Sequence, residues 1–316
     1  MNDVQPTPPA PDPLAAVAAL PGVAEAVGLA RQACEELRWH EAYRRRWREV
    51  RAEATVRSAQ ASAALDGARL PVEAVRALAV GTLPGLGAAG GFARAGSRTD
   101  EVRPDAVRTD GARTDAVGTV VLGALRAGAG AERLMPALVG RDRTVLPPLA
   151  QMLSRLHAAA AGGRVENDLV GRTRPAGVEP ADLRGLGPAP DGEQVAARLD
   201  LLARTVAATS APALVVAAVV HGELLALRPF VAGNGVVARA VARLMVTARG
   251  LDPTGSVVPE AVWARQPNLY LGAAAQFGTG TPDGVAAWVV ACARAVVQGA
   301  DEARSVADAV LAGRLV

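Results

Sequence analysis

Residues 227–239 read Leu-Arg-Pro-Phe-Val-Ala-Gly-Asn-Gly-Val-Val-Ala-Arg and lie between two segments whose apolar residues recur at helical spacing. Gly233, Asn234 and Gly235 open the second of these predicted helices. Glycines let backbone amides approach a ligand closely, and the unpaired amides at a helix N-terminus attract anions. A Gly-Asn-Gly triplet alone is more often a plain turn. In this setting it predicts an anion-binding loop between two helices.

Outward from this loop, the chain is predicted to be mostly α-helical. Half of the residues are hydrophobic but only 3% are aromatic, so alanine, valine and leucine must form the core, which favours helices. Strand signals are nearly absent, and at most a short β-hairpin flap is expected within residues 163–190, which are rich in glycine and proline. Helices are predicted over residues 119–138, 146–161, 193–207, 211–225, 236–249, 261–277 and 282–311.

The sequence pattern divides the chain into four parts. Residues 1–13 form a Pro-rich tail that is expected to be disordered, and residues 14–80 form an N-terminal helical segment. Residues 81–117 are rich in glycine, repeat the triplet Arg-Thr-Asp and have little to bury, so they are predicted to be a flexible insertion. Residues 118–312 are expected to form the helical core.

The charged residues exclude several kinds of chemistry. All 34 Lys/Arg positions are arginine, which rules out a lysine nucleophile, a Schiff base and a P-loop lysine. The formal net charge is only +3 on 316 residues, which is too small for a nucleic-acid-binding surface. Nucleic acid is therefore not an expected partner.

The cysteines and the apolar segments indicate in which cell compartment the protein is expected. Cys34 and Cys292 are far apart and form neither a disulfide framework nor a zinc pattern. The longest apolar run, residues 211–220, is too short to cross a bilayer, which needs about 20 residues. The N-terminus has no signal-peptide pattern. A cytoplasmic protein with no membrane partner is expected.

The loop and its surroundings resemble the Fic motif, His-x-Phe-x-Asp/Glu-Gly-Asn-Gly-Arg-x-x-Arg. Pro229 and Phe230 match its frequent Pro-Phe pair, residues 233–235 match its anion-binding triplet, and Arg239 matches its final arginine. Fic proteins transfer AMP from ATP to hydroxyl groups of other proteins. The resemblance implies a Fic-like core over residues 118–312 and a nucleotide- or anion-binding site formed by Phe230, Gly233, Asn234, Gly235 and Arg239.

A second match lies in the N-terminal segment. Ser62-Ala-Ala-Leu-Asp66-Gly67 resembles the inhibitory motif Ser/Thr-x-x-x-Glu-Gly/Asn of Fic proteins that carry this helix before the core. In those proteins the glutamate pairs with the final arginine of the Fic motif and blocks productive ATP binding. The resemblance implies a pair between Asp66 and Arg239. This pair would be either a retained autoinhibitory latch or a tie between the N-terminal helix and the core.

Three positions depart from the Fic motif. Arg228 occupies the position of the histidine that acts as general base, and arginine, with a pKa above ~12, accepts no proton, so no catalytic residue is assigned. Ala232 replaces the acid that holds Mg²⁺ in the motif, so a Mg²⁺ cofactor is not expected. ATP is the ligand that the resemblance still allows. Val236 replaces a phosphate-binding arginine. His221 is expected to be structural, with a substitute base as the alternative.

Three functions are compatible with these residues. The missing base, metal ligand and phosphate arginine favour a pseudoenzyme that keeps a nucleotide or anion site and acts by binding a protein partner. The second hypothesis is an active transferase of AMP, or of another phosphate-containing group, by non-standard chemistry. The third is a purely structural helical protein without a ligand.

Overall fold

The computed structural model describes residues 11–81, 105–138 and 145–314 of the chain, and within these ranges it contains helices and no strand. The mostly α prediction is therefore confirmed. The α-helices are α1 (Ala15–Ala18), α2 (Val23–Arg38), α3 (Ala42–Arg45), α4 (Trp47–Leu65), α5 (Val72–Ala79), α6 (Asp105–Glu132), α7 (Leu149–Ala161), α8 (Gly192–Ala208), α9 (Ala213–Leu227), α10 (Asn234–Ala248), α11 (Pro259–Arg265), α12 (Pro267–Gly278) and α13 (Pro282–Leu311). Two short 3₁₀ helices, Asn167–Leu169 and Arg184–Leu186, lie between α7 and α8.

Helix α9 lies at the centre of the fold because it is apolar on nearly every side, and such a helix must be surrounded by others. It packs against α8, α10, α12 and α13. Gly222 of α9 lies so close to α12 that a Cβ atom there would be 2.6 Å from the Phe277 ring. Trp288 of α13 donates its Nε1–H to the carbonyl of Ala218 at 2.8 Å. The end of α9, where the candidate loop begins, is thus held in a rigid frame.

The N-terminal helices pack directly on this core. Helix α2 packs along α13, and α4 packs against α6, α10, α11 and α13. Arg51 of α4 is 3% exposed and donates to the carbonyl of Thr254 at 2.7 Å, as well as to the carbonyls of Pro136 and Pro253. These bonds hold α4 in place, so its C-terminal end, which carries Ser62 and Asp66, lies against α10.

Three details differ from the prediction. Helix α6 begins at Asp105, inside the predicted flexible insertion, because alanine and arginine are strong helix formers even in a low-complexity sequence. The predicted helix 261–277 is two helices, α11 and α12, because Pro267 has no amide to donate and starts a new helix. Between α7 and α8 the chain forms the two 3₁₀ turns and no hairpin.

Other parts of the prediction lie outside the described residues, namely residues 1–10 of the tail and residues 82–104 of the insertion. Within the predicted tail, Asp12 accepts hydrogen bonds from the Thr209 hydroxyl and from the amide and hydroxyl of Ser210, so this residue is joined to the turn between α8 and α9. Among the helices that the structure describes, none combines the length and the apolar character needed to cross a bilayer.

Candidate functional site

The loop between α9 and α10 is held in one conformation by Asn234, which is 1% exposed. Its Oδ1 accepts the amide of Phe230 at 2.8 Å, and its Nδ2 donates to the carbonyl of the same residue at 2.8 Å. The chain turns through left-handed conformations at Arg228 (φ 42°) and Gly233 (φ 83°). Glycine adopts this conformation freely but arginine does so rarely, so contacts of the Arg228 side chain must hold it.

His157 of α7 packs against the loop and is hydrogen-bonded to it. Its ring stacks on Phe230 with centroids 3.9 Å apart and planes 3° from parallel. Its Nδ1 accepts the amide of Gly171 at 2.9 Å, so the proton is on Nε2, which donates to the carbonyl of Ala232 at 3.1 Å. Burial lowers the pKa of His157 to about 4. The neutral imidazole therefore joins the loop to the segment that follows α7.

We expect this histidine to make the protein sensitive to acid. The unfolded chain binds the proton with a pKa near 6.5 and the folded chain only near a pKa of about 4, so the contribution of His157 to stability is complete above pH 6.5 and is lost as the pH falls towards 4. Urea midpoints measured from pH 7.5 to pH 4 should fall more steeply for the wild type than for His157→Gln. His221 titrates in both proteins and cancels in the comparison. Parallel curves would contradict the assignment.

The Arg228 side chain binds the chain around the second 3₁₀ turn, which lies beside the loop. It is 2% exposed and donates from Nη1 to the carbonyl of Leu183 at 3.1 Å and from Nη2 to the carbonyl of Gly187 at 2.9 Å. A second arginine, Arg174, donates from Nε to the carbonyl of Arg228 at 2.9 Å. We call residues 181–187 the cover segment. Arg228 clamps it beside the loop.

Replacing Arg228 by methionine should loosen the cover segment. The variant keeps a Cβ atom, so the backbone strain at this position is unchanged, but it loses two charge-assisted hydrogen bonds, each worth about 1.5–3 kcal/mol. Amide hydrogen exchange in residues 181–187 should become at least about tenfold faster, which corresponds to about 1.4 kcal/mol. Arg249→Met is the control, because Arg249 donates to the carbonyl of Val206 elsewhere in the fold. Unchanged exchange in Arg228→Met would refute the clamp.

The cover segment brings a carboxylate to the N-terminus of α10. Asp182 accepts the backbone amide of Asn234 on Oδ2 at 2.7 Å and the Nδ2 of the same residue on Oδ1 at 2.7 Å. The amide of Ala181 donates to the carbonyl of Val231 at 2.7 Å, which aligns the segment with the loop. Burial raises the pKa of Asp182, and the nearby Asp66 carboxylate raises it further. A negative charge is favoured here by the helix dipole.

Arg239 and Asp66 form a buried ion pair on the other side of the same turn, which we call the latch pair. Arg239 is 1% exposed and donates from Nη2 to Oδ1 of Asp66 at 2.6 Å. It also donates from Nε to the Ser62 hydroxyl at 2.8 Å and from Nη2 to the carbonyl of Ser62 at 3.0 Å. Burial lowers the pKa of the guanidinium, but the Asp66 carboxylate and the Tyr270 hydroxyl together outweigh it, so the pKa is raised.

The end of α4 explains why Asp66 reaches this position. Gly67 has φ 88°, its amide donates to the carbonyl of Ala64 at 3.1 Å, and the amide of Ala68 donates to the carbonyl of Ala63 at 2.9 Å. These two bonds are a Schellman motif, which ends a helix at a left-handed glycine. The motif stops α4 directly after Leu65 and leaves Asp66 at the C-cap, facing α10.

The first turn of α10, residues 233–236, is the candidate anion cradle. Within the described part of the chain, the amides of Gly235 and Val236 donate to no acceptor outside the helix. Nη1 of Arg239 is buried and has no hydrogen-bond partner there either. A Cβ atom on Gly235 would lie 2.7 Å from Oδ1 of Asp66 and 2.9 Å from Nη1 of Arg239, so only glycine leaves room at this point. The cradle offers donors to an anion.

The side chains around the cradle do not fit Mg²⁺. The side chain of Ala232 has no atom that could bind a metal ion, and both carboxylate oxygens of Asp182 already accept hydrogen bonds from Asn234. Of the Asp66 oxygens, Oδ1 binds Arg239 and Oδ2 is buried without a partner. No cluster of three or more potential metal ligands occurs in residues 11–81, 105–138 and 145–314. Mg²⁺ prefers several oxygen ligands in octahedral geometry, which these residues do not offer.

His221 lies in an aromatic cluster, away from solvent. Its Nε2 is 2.9 Å from the hydroxyl of Tyr270, and its ring packs against Trp263 and Trp288 at centroid distances of 4.9 and 5.1 Å. It is 1% exposed, and burial lowers its pKa well below the usual value. These contacts are those of a core side chain.

The structure brings most of the candidate residues of the sequence together. Gly233, Asn234 and Gly235 form the cradle, and Ser62 and Asp66 meet Arg239 beside it. Phe230, a residue of the loop, is 2% exposed and stacks on His157, so it has no surface left for a ligand to stack on. Asp182 is absent from the sequence-based set, because a single aspartate in an irregular segment has no periodicity or motif that would signal a role.

Residues 149–246, from the start of α7 to near the end of α10, match the model described as the Fic/DOC family. This range contains the loop, His157 and Asp182. No curated protein matches the chain.

Solved structures of Fic proteins have a similar fold. A Fic family protein from Desulfovibrio desulfuricans G20 is 19% identical, with a TM-score of 0.63 over 94% of this chain and 76% of that chain. Fic-1 (residues 134–508) from C. elegans is 15% identical, with a TM-score of 0.58 over 92% and 73%. A Fic domain containing signaling protein from Bacteroides thetaiotaomicron VPI-5482 is 13% identical, with a TM-score of 0.57 over 90% and 98%. Identities this low show the fold alone.

Proposed function

We propose that this protein is a pseudoenzyme, because residues 149–246 match the Fic/DOC family, which is an AMPylation-type transferase family, but lack its usual base. It keeps an anion- or nucleotide-binding cradle on the Fic scaffold, it does not transfer AMP by the family's usual route, and it acts by binding another protein. Its place of action in this proposal is the cytoplasm, which is consistent with two buried free cysteines.

The observation that carries the proposal is the position of Arg228. The guanidinium donates from Nη1 to the carbonyl of Leu183 and from Nη2 to the carbonyl of Gly187, while its buried Nε has no partner, so the side chain holds the cover segment. Arginine keeps its proton at any physiological pH and cannot take one from an attacking hydroxyl. Loss of a general base typically lowers a rate by about 10²–10⁴. In this proposal Arg228 stands at the general-base position of the motif but has a structural role.

The anion-binding part of the proposal is supported by the donors that remain. The cradle keeps the glycine pair, the amides of the first turn and the Arg239 guanidinium, and these suit a phosphate group. The carboxylates of Asp66 and Asp182 oppose a nucleotide phosphate at this place, so its binding depends on the Arg239 guanidinium and the amides of the first turn. With no general base at Arg228, binding without transfer is the proposed behaviour.

The test compares AMP transfer by the wild type and by Asp66→Ala, in which the latch pair is absent. Each protein is incubated with ATP labelled at the α-phosphate, Mg²⁺ and a cell lysate, beside an active Fic protein as the positive control. We expect no labelled protein with the wild type or with Asp66→Ala. A lack of transfer by Asp66→Ala would show that inhibition by the latch pair is not the reason for the lack of transfer by the wild type. Labelling by Asp66→Ala that disappears when Asn234→Ala is added would overturn the pseudoenzyme proposal.

Ligand binding is measured on the same two proteins by thermal unfolding. A nucleotide that binds only the folded state stabilises it by about 2.7 kcal/mol at a hundredfold excess over Kd. We expect stabilisation by ATP without Mg²⁺, and a larger stabilisation in Asp66→Ala, since the latch pair places a carboxylate beside the cradle. No stabilisation in either protein would argue against the anion-binding part of the proposal.

A second candidate function is favoured by the latch pair itself. A retained pair between Asp66 and Arg239 matches the autoinhibitory arrangement that the sequence resemblance implies, and inhibition has a purpose only where there is an activity. This candidate is an active transferase of AMP, or of another phosphate-containing group, by non-standard chemistry. It predicts labelling of protein from labelled ATP or from another labelled nucleotide in Asp66→Ala but not in the wild type.

A further inference from the structure

The carboxylate of Asp182 occupies the position that an anionic ligand would take at the N-terminus of α10. We propose that Asp182 is an exchangeable internal ligand: the cover segment closes the cradle with its own carboxylate, and a phosphate monoester or nucleotide phosphate binds by displacing it. This inference rests on the proposed anion site and adds the control of access to it. It concerns a residue outside both motifs of the sequence.

The geometry of Asp182 is that of a bound anion. Its two oxygens accept the backbone amide and the side-chain Nδ2 of Asn234, each at 2.7 Å, which is the two-point contact expected for a carboxylate or phosphate at a helix N-terminus. No other backbone amide of the first turn binds Asp182, and those of Gly235 and Val236 have no acceptor in the described residues. A phosphate, with three acceptor oxygens, would use donors that the carboxylate leaves unused.

The charges around the cradle make the closed arrangement replaceable. Burial raises the pKa of Asp182, and the nearby Asp66 carboxylate raises it further because the two carboxylates repel each other. Nη1 of Arg239 is buried against Gly235 and has no partner, so one strong donor of the cradle is not satisfied by either carboxylate. An incoming phosphate would gain a donor that Asp182 does not reach.

Among the described side chains, few polar contacts hold the cover segment. Its polar anchors are the two Arg228 bonds to the carbonyls of Leu183 and Gly187, the Ala181 amide and the Asp182 contacts themselves. Ala181 and Gly187 are exposed, and the side chains of Leu183 and Leu186 are only half-buried. Opening would take Leu183 and Leu186 from their partial contact with the core and the second 3₁₀ turn from α12, and a local opening of this size costs less than global unfolding.

The test measures inorganic phosphate and ATP binding by calorimetry, without Mg²⁺, to the wild type, Asp182→Ala and Asp182→Asn. Removing a competitor raises the apparent affinity by the inverse of the fraction that is open, so we expect at least tenfold tighter binding in Asp182→Ala. Asp182→Asn keeps the size of the side chain without the charge and should bind more tightly than the wild type as well. Circular dichroism establishes that each variant is folded.

Asp191→Ala is the matched control, because Asp191 caps α8 by accepting the amide of Gln194 at 2.9 Å and lies at a different helix N-terminus. It should leave phosphate affinity unchanged. A second readout is hydrogen exchange of the wild type, in which phosphate should speed exchange in residues 181–187 as the segment opens.

The outcomes separate this inference from the proposed function. Binding that is equal in the wild type and both Asp182 variants, or weaker in the variants, would overturn the exchange but leave the anion site standing. No binding of phosphate or ATP to any variant, including Asp66→Ala, would overturn the anion site and this inference with it. Tighter binding in Asp191→Ala to the same degree would also overturn it, since the effect would then be one of general charge.

Discussion

Replacing Arg239 by methionine is expected to destabilise the protein by about 3–5 kcal/mol, because removal of one partner leaves the other charge buried and unpaired. Asp66 would keep a carboxylate that is 5% exposed, and Ser62 would lose the donors to its hydroxyl and carbonyl. Urea unfolding at pH 7 measures the change. Removing Asp66 as well should restore part of the lost stability, since the double variant Asp66→Ala/Arg239→Met contains no unpaired charge at this place.

The control for this prediction is an ion pair on the surface. Arg204 and Asp200 pair across one turn of α8 with side chains that are 70% and 69% exposed, and Arg204→Met should change stability by less than about 0.5 kcal/mol. A loss below about 1 kcal/mol in Arg239→Met would mean that the latch pair is not needed to hold α4 on α10. Phosphate binding should fall in the same variant, because Arg239 belongs to the proposed anion site.

Gly123→Ala is expected to cost about 3 kcal/mol, the upper end of the range for an overpacked core. A Cβ atom at Gly123 would overlap the carbonyl oxygen of Ala160 and lie 3.1 Å from its carbonyl carbon. These are backbone atoms of α7, so no side chain can rotate away and the two helices must separate. Because His157 lies on the same helix, the loop should move too, and the thermal midpoint measures the whole effect.

Gly272→Ala is the matched control for the glycine substitution. Gly272 lies in the middle of α12 and is exposed, and a Cβ atom added there would meet no heavy atom within 4 Å outside its own helix and chain neighbours. Alanine there should stabilise the protein by about 0.5–1 kcal/mol, since glycine is the poorer helix former. If both substitutions changed stability equally, the contact between α6 and α7 would not be as close as the structure has it.

Local sequence patterns account for most of the fold. Apolar spacing identifies α7 to α10 and α13 to within a few residues, and composition favours helices because alanine and leucine are abundant and only 3% of the residues are aromatic. The same patterns miss the start of α6, where low complexity hides a composition that favours helix, and the break at Pro267. Motif spacing also predicts that Asp66 and Arg239 meet at one site, and in the structure their side chains lie 2.6 Å apart.

The sequence by itself determined the helical class, the loop that opens α10 and the absence of a proton-accepting side chain at Arg228, because each depends on residues that are neighbours in the chain. Only the tertiary structure decided where the Arg228 guanidinium points, which ring supports Phe230 and which carboxylate meets Asn234. These contacts join α7, α10 and the irregular chain between α7 and α8. Such a segment has no periodic pattern, so its path depends on the surfaces it packs against and not on its own residues.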